Sequence, residues 1–266
     1  MLIVGELINT SRKVIRENVE RRNCNYIRDI AKRQVEAGAH YLDVNCSDML
    51  GNELEVMRWL TENIRAVVDV PLCIDTPNPL IMEAGLSLPQ NGQPLINSIT
   101  GEEERYKMML PLVINHKAGV IALCIDDRGI PETAEETLRV ARKLVKKLTE
   151  SGVPARDIYL DLLVKPLSVS DRAGLEVIDT IRLVKQECPE VHLICGVSNV
   201  SYGLPNRKIL NRVFAIQTMT MGMDAYMLDP TDKILMGFLY ASQALLGQDP
   251  FCANYLATHR KGFYQG

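Results

Sequence analysis

The sequence predicts a single-domain α/β protein with the (β/α)8 TIM-barrel architecture, and three observations lead to that prediction. The chain has 266 residues, which is close to the usual length of one eight-fold β/α barrel. No linker rich in proline, glycine or serine divides it, so we expect residues 1–266 to form one domain. A short apolar run followed by an amphipathic segment also occurs eight times along the chain.

Eight apolar runs are predicted to be the strands. They lie at approximately 2–8, 41–45, 71–75, 94–98, 119–125, 158–162, 192–198 and 225–229. Continuous apolar runs of this length, bounded by turn residues, are typical of strands buried on both faces of a parallel sheet. An open doubly wound sheet is the alternative architecture. Its usual Gly-x-Gly-x-x-Gly turn after the first strand is absent, since residues 5–9 read Gly-Glu-Leu-Ile-Asn.

The amphipathic segments between these runs are predicted to be helices. They lie at approximately 25–38, 53–68, 78–88, 102–117, 133–151, 173–187, 206–221 and 232–247. Thr100 and Thr133 are each followed three residues later by glutamate, as in a capping box at a helix start. Gly38 and Gly152 follow helical segments, where glycine is typical of a C-terminal cap. Strands that alternate with helices indicate parallel pairing.

Composition and charge exclude several classes of protein. The 30 basic and 33 acidic residues are mixed along the chain, and no basic stripe predicts nucleic-acid binding. The seven cysteines are an odd number without a Cys-x-x-Cys pair, which fits neither a disulfide framework nor a zinc finger. Cys73, Cys124 and Cys195 lie in apolar runs and are expected to be buried. With no leader-like or membrane-spanning segment, the sequence predicts a reduced, cytoplasmic protein.

Polar side chains follow every predicted strand, at the end of the barrel where active sites of this fold lie. They are Asn9, Asp43, Asn45, Asp75, Asn97, Ser98, Asp126, Asp161, Ser198, Asn199 and Asp229. Turn chemistry alone accounts for Asp126 and Asp229. By contrast, each of four residues directly ends an apolar run and needs a hydrogen-bond partner that a ligand can supply. These four are Asp75, Asn97, Asp161 and Asn199.

The other residues indicate what kind of ligand this is. The four histidines form no i, i+4 pair and no His-x-Cys pattern, so no metal site is predicted. Residues 196–200 approach the Gly-x-Ser-x-Gly turn of hydrolases but lack the second glycine. A pterin fits the polar residues better. Carboxylates accept paired N–H bonds from its aminopyrimidinone edge, and an amide both donates and accepts.

Eight segments of the chain resemble the pterin-binding methyltransferases. They are residues 2–9 (LIVGELIN), 37–45 (AGAHYLDVN), 72–76 (LCIDT), 96–98 (INS), 196–201 (GVSNVS), 206–207 (NR), 211–212 (NR) and 222–225 (GMDA). Within that superfamily the chain is most similar to the methyltetrahydrofolate:corrinoid protein methyltransferases. Members serve acetyl-CoA synthesis in anaerobes or methylate tetrahydrofolate in corrinoid demethylase systems. The resemblance covers essentially the whole chain.

The resemblance implies a folate site formed by Asp75, Asn97, Asp161, Gly196, Ser198, Asn199 and Arg207. The first three would hold the pterin edge, Gly196 and Ser198 would line the wall beside N5, and Arg207 would anchor the folate. Asn199 and Asp161 would be the catalytic residues, with Asn199 hydrogen-bonded near N5 and a water beside Asp161 as one source of a proton. The family usually has proline after the strand-six aspartate. Leu162 stands there instead, so the backbone after Asp161 is expected to differ from that of the family.

The implied reaction is SN2 transfer of a methyl group between N5 of (methyl)tetrahydrofolate and the cobalt of a corrinoid. A tertiary amine leaves poorly, so the charge on N5 must be reduced by protonation or by a strengthening hydrogen bond. The Asp-x-His-x-x-Gly pattern of corrinoid-binding domains is absent, so a partner corrinoid protein is expected to bring the cobalt. The resemblance also implies a homodimer. The direction of transfer is left open.

Two other functions are weighed against methyl transfer. A dihydropteroate synthase would need cations for diphosphate near strand seven and an Arg-x-His pattern near the C terminus. Here strand seven leads into Asn199, and residues 258–262 read Thr-His-Arg-Lys-Gly. A non-catalytic folate-binding protein would leave Asn199 at N5 unexplained, and turnover would separate it from the enzyme.

Overall fold

Eight parallel strands close into a barrel in the computed structural model, which describes residues 1–89 and 91–263. The strands are β1 (Leu2–Asn9), β2 (Tyr41–Asn45), β3 (Leu72–Asp75), β4 (Leu95–Thr100), β5 (Gly119–Leu123), β6 (Ile158–Asp161), β7 (His192–Gly196) and β8 (Ala225–Leu228). Each strand pairs in parallel with its sequence neighbours, and β8 pairs with β1, so the sheet has no edge. The predicted (β/α)8 architecture is confirmed.

Ten α-helices lie within the described ranges. They are α1 (Lys13–Glu20), α2 (Cys24–Glu36), α3 (Glu53–Arg65), α4 (Pro79–Leu86), α5 (Glu103–Asn115), α6 (Ala134–Glu150), α7 (Ala173–Glu187), α8 (Arg207–Met221), α9 (Lys233–Leu245) and α10 (Ala253–Arg260). The eight predicted helices correspond to α2–α9, whereas α1 and α10 were not predicted. Each of these two has eight residues, and α1 buries only Ile15 and Val19 while α10 buries Thr258. Such short buried stripes give little periodic signal.

The helix-end predictions are confirmed at three positions and wrong at one. The hydroxyl of Thr133 accepts the N–H of Glu136 at 3.2 Å, and Gly38 and Gly152 have φ of +104° and +92° after α2 and α6. Thr100 caps no helix. It ends β4, where it pairs with Leu123 of β5, and its hydroxyl donates to a carboxylate oxygen of Glu102. Extension of the strand carries this hydroxyl away from the first turn of α5.

Side chains point alternately inward and outward along each strand, and this divides the core into two layers. In β2, Leu42 and Val44 pack outward against the helices, whereas Asp43 points into the barrel. Inside the barrel a cluster of buried apolar side chains fills the space between the strands: Val4, Cys73, Leu95, Ile121, Ile194 and Ala225. This cluster fills the barrel interior, and the polar residues lie beyond it at the C-terminal ends of the strands.

All seven cysteines are free, and Cys73, Cys124 and Cys195 are fully buried, as predicted. None of the helices in the described part of the chain combines the length and the apolar character that crossing a bilayer requires.

Candidate functional site

A cavity of about 370 Å³ opens at the C-terminal ends of the strands, and we call it the mouth cavity. It is lined by Glu6, Asn9, Ser11, Arg12, Asp43, Asp75, Asn97, Asp161, Gly196, Ser198, Asn199 and Met227. Six of the seven predicted folate-binding residues are therefore brought together, and Arg207 is not among the lining residues. Their separation in sequence is overcome because parallel strands bring their C-terminal ends to one side of the barrel.

The register of three neighbouring strands sets Asp75 and Asn97 side by side. Asn45 pairs with Asp75, and Asp75 pairs with Asn97. The side-chain amide of Asn45 donates to the Asp75 carboxylate at 2.8 Å. Burial raises the pKa of Asp75, while the Asn45 hydrogen bond and the charge of Arg105 oppose that rise. Asn45 does not line the mouth cavity, so its role is to orient Asp75.

Asp43 lies deeper than these two residues and is 1% exposed. The amide nitrogen of Asn97 donates to its carboxylate at 3.4 Å, across 54 positions in sequence. Burial raises the pKa of Asp43 well above its usual range, and the nearby Asp75 carboxylate raises it further. The sequence placed Asp43 at the barrel mouth but gave it no part in the folate site.

Asp161 ends β6, and its side chain lines the mouth cavity. Its carboxylate accepts the backbone N–H of Leu163 at 2.8 Å, and Leu163 turns the chain with φ of +60°. Burial raises the pKa of Asp161 to about 6, although the Leu163 N–H opposes that rise. A carboxyl group with this pKa can donate or accept a proton near neutral pH.

The segment after β7 presents Asn199 to the mouth cavity. The strand ends at Gly196, and Val197–Asn199 forms a 3-10 turn, so Asn199 follows the strand by three residues. A Cβ atom on residue 196 would lie 3.2 Å from the side-chain nitrogen of Asn199, so the amide occupies space that only glycine leaves free. Within the described residues the Asn199 side chain makes no hydrogen bond, and it remains available to a ligand.

Arg207 lies next to this segment. Its guanidinium donates to the backbone carbonyl of Ser198 at 2.6 Å and to the hydroxyl of Ser201 at 3.1 Å. Arg207 therefore fixes the wall of the mouth cavity from outside, through Ser198. The folate-anchoring role that the family resemblance implied for Arg207 stays a prediction.

Four residues that line the mouth cavity were missed by sequence reasoning: Glu6, Ser11, Arg12 and Met227. A bulge in β1 between Gly5 and Ile8 breaks its pairing with β2 and turns Glu6 into the cavity. Gln34 accepts the N–H of Leu7 at 3.0 Å at this bulge. Gly5 was the available signal, because a glycine inside a strand often marks a bulge or a close approach.

The missed Glu6 and Arg12 form an ion pair at 2.9 Å. Burial raises the pKa of Glu6, and the positive charge of Arg12 opposes that rise. The residues that line the mouth cavity thus include four carboxylates and one cation, and Glu6 already partners that cation. Among the described residues no group of three or more His, Cys, Asp and Glu side chains is placed to hold a metal ion.

Asp126 and Asp229 have the structural roles that turn chemistry predicted. Asp126 forms an ion pair with Arg139 at 2.9 Å and accepts the N–H of Arg128. Burial pushes the pKa of Asp126 upward, but these hydrogen bonds outweigh it and hold the pKa below its usual range. Asp229 accepts both the N–H and the hydroxyl of Thr231. Neither aspartate lines the mouth cavity.

Known proteins resemble this chain in sequence and in fold. A profile of the pterin binding enzymes matches residues 5–229. The methylcorrinoid:tetrahydrofolate methyltransferase of Eubacterium limosum is 34% identical over 264 residues, covering 98% of this chain and 97% of its own length. Methionine synthase of Mycobacterium leprae (strain TN) is 34% identical over 239 residues, which span 85% of this chain but only 20% of that protein.

Solved structures show the same architecture at lower identity. Dihydropteroate synthase from Xanthomonas albilineans in complex with 7,8-dihydropteroate superposes with a TM-score of 0.68 at 17% identity, covering 90% of this chain and 93% of that one. The Yersinia pestis dihydropteroate synthase gives a TM-score of 0.67 at 15% identity, covering 92% and 93%. These likenesses concern the fold alone. The family is shown by the sequence matches, which extend over most of the chain. This chain, with its mouth cavity at the strand ends, belongs to the pterin-binding enzyme family.

Proposed function

We propose that this protein is a methyltransferase that moves a methyl group between N5 of tetrahydrofolate and the cobalt of a corrinoid carried by a partner protein. The observation that carries the proposal is the mouth cavity itself. In it, side chains that accept hydrogen bonds lie opposite the Asn199 amide, which makes no hydrogen bond within the described protein. The likeness to the Eubacterium limosum methyltransferase, which extends over 98% of the chain, supports the same activity.

The acceptors of the mouth cavity suit a reduced pterin. The ring carries N–H donors at the 2-amino group, at N3 and at N8, and carboxylates bind such paired donors well. Asp75, Asn97 and Asp161 come from β3, β4 and β6, so they can contact different points of one flat ring. All three side chains are partly exposed to the cavity, and their oxygens can accept further hydrogen bonds from a ligand.

Asn199 and Asp161 have different roles in the reaction at N5. In the forward direction the N5–methyl bond breaks, its electron pair stays on nitrogen, and an electron pair of Co(I) forms the new bond to the methyl carbon. The Asn199 amide donates a hydrogen bond that stabilises the developing charge. Asp161, with its pKa near 6, supplies or relays the proton that N5 takes up. The same groups serve the reverse direction by microscopic reversibility.

The shortage of free positive charge among the described lining residues of the mouth cavity disfavours the dihydropteroate synthase alternative. That reaction expels diphosphate, which needs positive charge to stabilise it. Arg12 is the one cation among the lining residues of the described chain, and its guanidinium is held by Glu6 at 2.9 Å. Methyl transfer releases no such anion. A neutral amide beside a tertiary amine therefore fits the site better.

We also propose that the protein is a cytoplasmic homodimer. Free thiols at all seven cysteines fit a reducing compartment. The outer faces of α8 and α9 expose Ile209 and Phe238, although Met219 and Met236 of the same helices belong to the core. Because α8 and α9 pack side by side, we place the subunit contact on their exposed apolar side chains. Sedimentation equilibrium of the full chain tests this: a single species of monomer mass would contradict it.

An anaerobic spectral assay with free cob(I)alamin and methyltetrahydrofolate tests the methyl transfer. We expect enzyme-dependent loss of Co(I) absorbance, and a decrease in kcat of about 100-fold in Asn199→Ala, the size of effect seen when one preorganised donor is removed. Asn115→Ala is the matched control, because Asn115 is an exposed asparagine at the end of α5 whose side chain makes no hydrogen bond in the described structure.

Three outcomes of this assay are informative. Turnover that is slowed in Asn199→Ala but not in Asn115→Ala supports both the activity and the role of Asn199. Turnover that Asn199→Ala does not slow would keep the activity and remove Asn199 from the mechanism. Absence of turnover in both directions, with methylcobalamin and tetrahydrofolate and also with corrinoid protein present, would overturn the proposed function.

A further inference from the structure

At the bottom of the mouth cavity, Asp43 makes a contact that the methyl-transfer chemistry does not use. It is 1% exposed, and the charged groups that face it are the carboxylates of Asp75 from β3 and Glu6 from β1. Its hydrogen-bond donors are the amide nitrogen of Asn97, at 3.4 Å, and the thiol of Cys73. A buried acid with two carboxylates nearby and no cation among these neighbours costs stability.

The contact determines how the Asn97 amide is turned. Its nitrogen faces the Asp43 carboxylate and also lies 3.8 Å from the sulfur of Met227. Its oxygen has no hydrogen-bond partner in the described structure, although Asn97 lines the mouth cavity. With its N–H groups turned toward Asp43 and Met227, the Asn97 amide offers a ligand only its oxygen, which is an acceptor. Without an acceptor below it, the amide could turn over and offer its donor instead.

We propose that Asp43 is a positioning residue for the folate substrate. By accepting the N–H of Asn97, it holds the Asn97 oxygen toward the ligand, so that Asp75, Asn97 and Asp161 all present acceptors to the N–H groups of the pterin. The inference rests on the proposed function, since a pterin is the ligand whose donors are matched. It also explains why a buried acid is kept here at a cost in stability.

Two substitutions separate the acceptor from the ionisable group. Asp43→Asn removes the ionisable carboxyl group but keeps a carbonyl oxygen that accepts the Asn97 N–H. Asp43→Leu keeps the branched shape and removes the acceptor. The acceptor role predicts that affinity for methyltetrahydrofolate stays within about 3-fold in Asp43→Asn and falls by about 10-fold in Asp43→Leu, the effect of one hydrogen bond. The value of kcat at saturating folate stays within about 3-fold, and KM rises.

A double-mutant cycle with Asn97→Ala tests whether Asp43 acts through Asn97. Isothermal titration calorimetry gives the Kd of methyltetrahydrofolate for the full-length wild type, the two single variants and Asp43→Leu/Asn97→Ala. We expect the double variant to bind as weakly as Asn97→Ala alone, because the orientation of an absent amide has no effect. Asp126→Asn is the control, since Asp126 is a buried carboxylate at the same end of the barrel that does not contact Asn97.

The possible results distinguish this inference from the proposed function. Independent, additive losses in Asp43→Leu and Asn97→Ala would overturn the positioning role, and so would equal losses in Asp43→Asn and Asp43→Leu. Thermal unfolding accompanies every titration, and Asp43→Ala replaces Asp43→Leu if the larger side chain prevents folding. A wild type that binds no methyltetrahydrofolate would overturn the proposed function together with the inference, whereas a binding wild type with an additive cycle would overturn the inference alone.

Discussion

Substitution of Asp161 by asparagine is expected to make the protein more stable at neutral pH while it impairs the reaction. The asparagine oxygen can still accept the backbone N–H of Leu163, which now lies 2.8 Å from the carboxylate. What the change removes is the buried negative charge. Burial raises the pKa of Asp161 from 3.8 to about 6, so the ionised form is disfavoured in the folded state.

The size of the effect follows from the pKa shift. Below pH 3.8 the carboxyl is protonated in both the folded and the unfolded state, and it has no effect on the pH dependence. Between about pH 4 and 6 the unfolded state releases its proton first, so stability falls as the pH rises. A shift from 3.8 to about 6 corresponds to ~3 kcal/mol at pH 7.5. Because the side chain borders an open cavity, we expect a gain of about 1–3 kcal/mol in Asp161→Asn.

Urea denaturation of the wild type and Asp161→Asn between pH 4.5 and 7.5 measures this effect. The variant should have the larger free energy of unfolding at pH 7.5, and the difference should shrink to roughly half by pH 5. Asp126→Asn is the control of opposite sign. Its partner Arg139 holds the pKa of Asp126 low, so this variant should lose stability at pH 7.5 and lose less as the pH falls. If the difference in free energy of unfolding between Asp161→Asn and the wild type did not change with pH, burial of the Asp161 charge would not be its cause.

Two further predictions concern backbone and packing. Gly196→Ala places a Cβ 3.2 Å from the Asn199 amide nitrogen, so it should lower kcat in the Co(I) assay by at least about 10-fold with little loss of stability. The effect should not add to that of Asn199→Ala, and additive effects would contradict displacement of the amide as its cause. Thr133→Ala removes the hydroxyl that accepts the Glu136 N–H at 3.2 Å, and thermal unfolding should show a loss of about 1 kcal/mol. An unchanged melting temperature would mean that water replaces this cap.

The architecture and four positions of the site could be predicted from local sequence patterns. Eight apolar runs that alternate with amphipathic segments specify parallel strands and crossover helices, because each element has its own local period. The fold then carries strand ends to one side, so Asp75, Asn97, Asp161 and Asn199 were identified as ligand-binding candidates from their place in the chain alone. All four line the mouth cavity.

The other side chains of the mouth cavity, and the pKa shifts of its carboxyl groups, depend on contacts between distant parts of the chain. Glu6 faces the cavity because β1 bulges between Gly5 and Ile8, and a bulge depends on pairing with a neighbouring strand. The contact of Asp43 with Asn97 joins residues 54 positions apart and depends on the register of β2, β3 and β4. The pKa of Asp161 near 6 arises from burial by the whole barrel. Local sequence patterns specify the helices and strands. Pairing register and burial depend on all the strands of the closed barrel together, so no single segment specifies them.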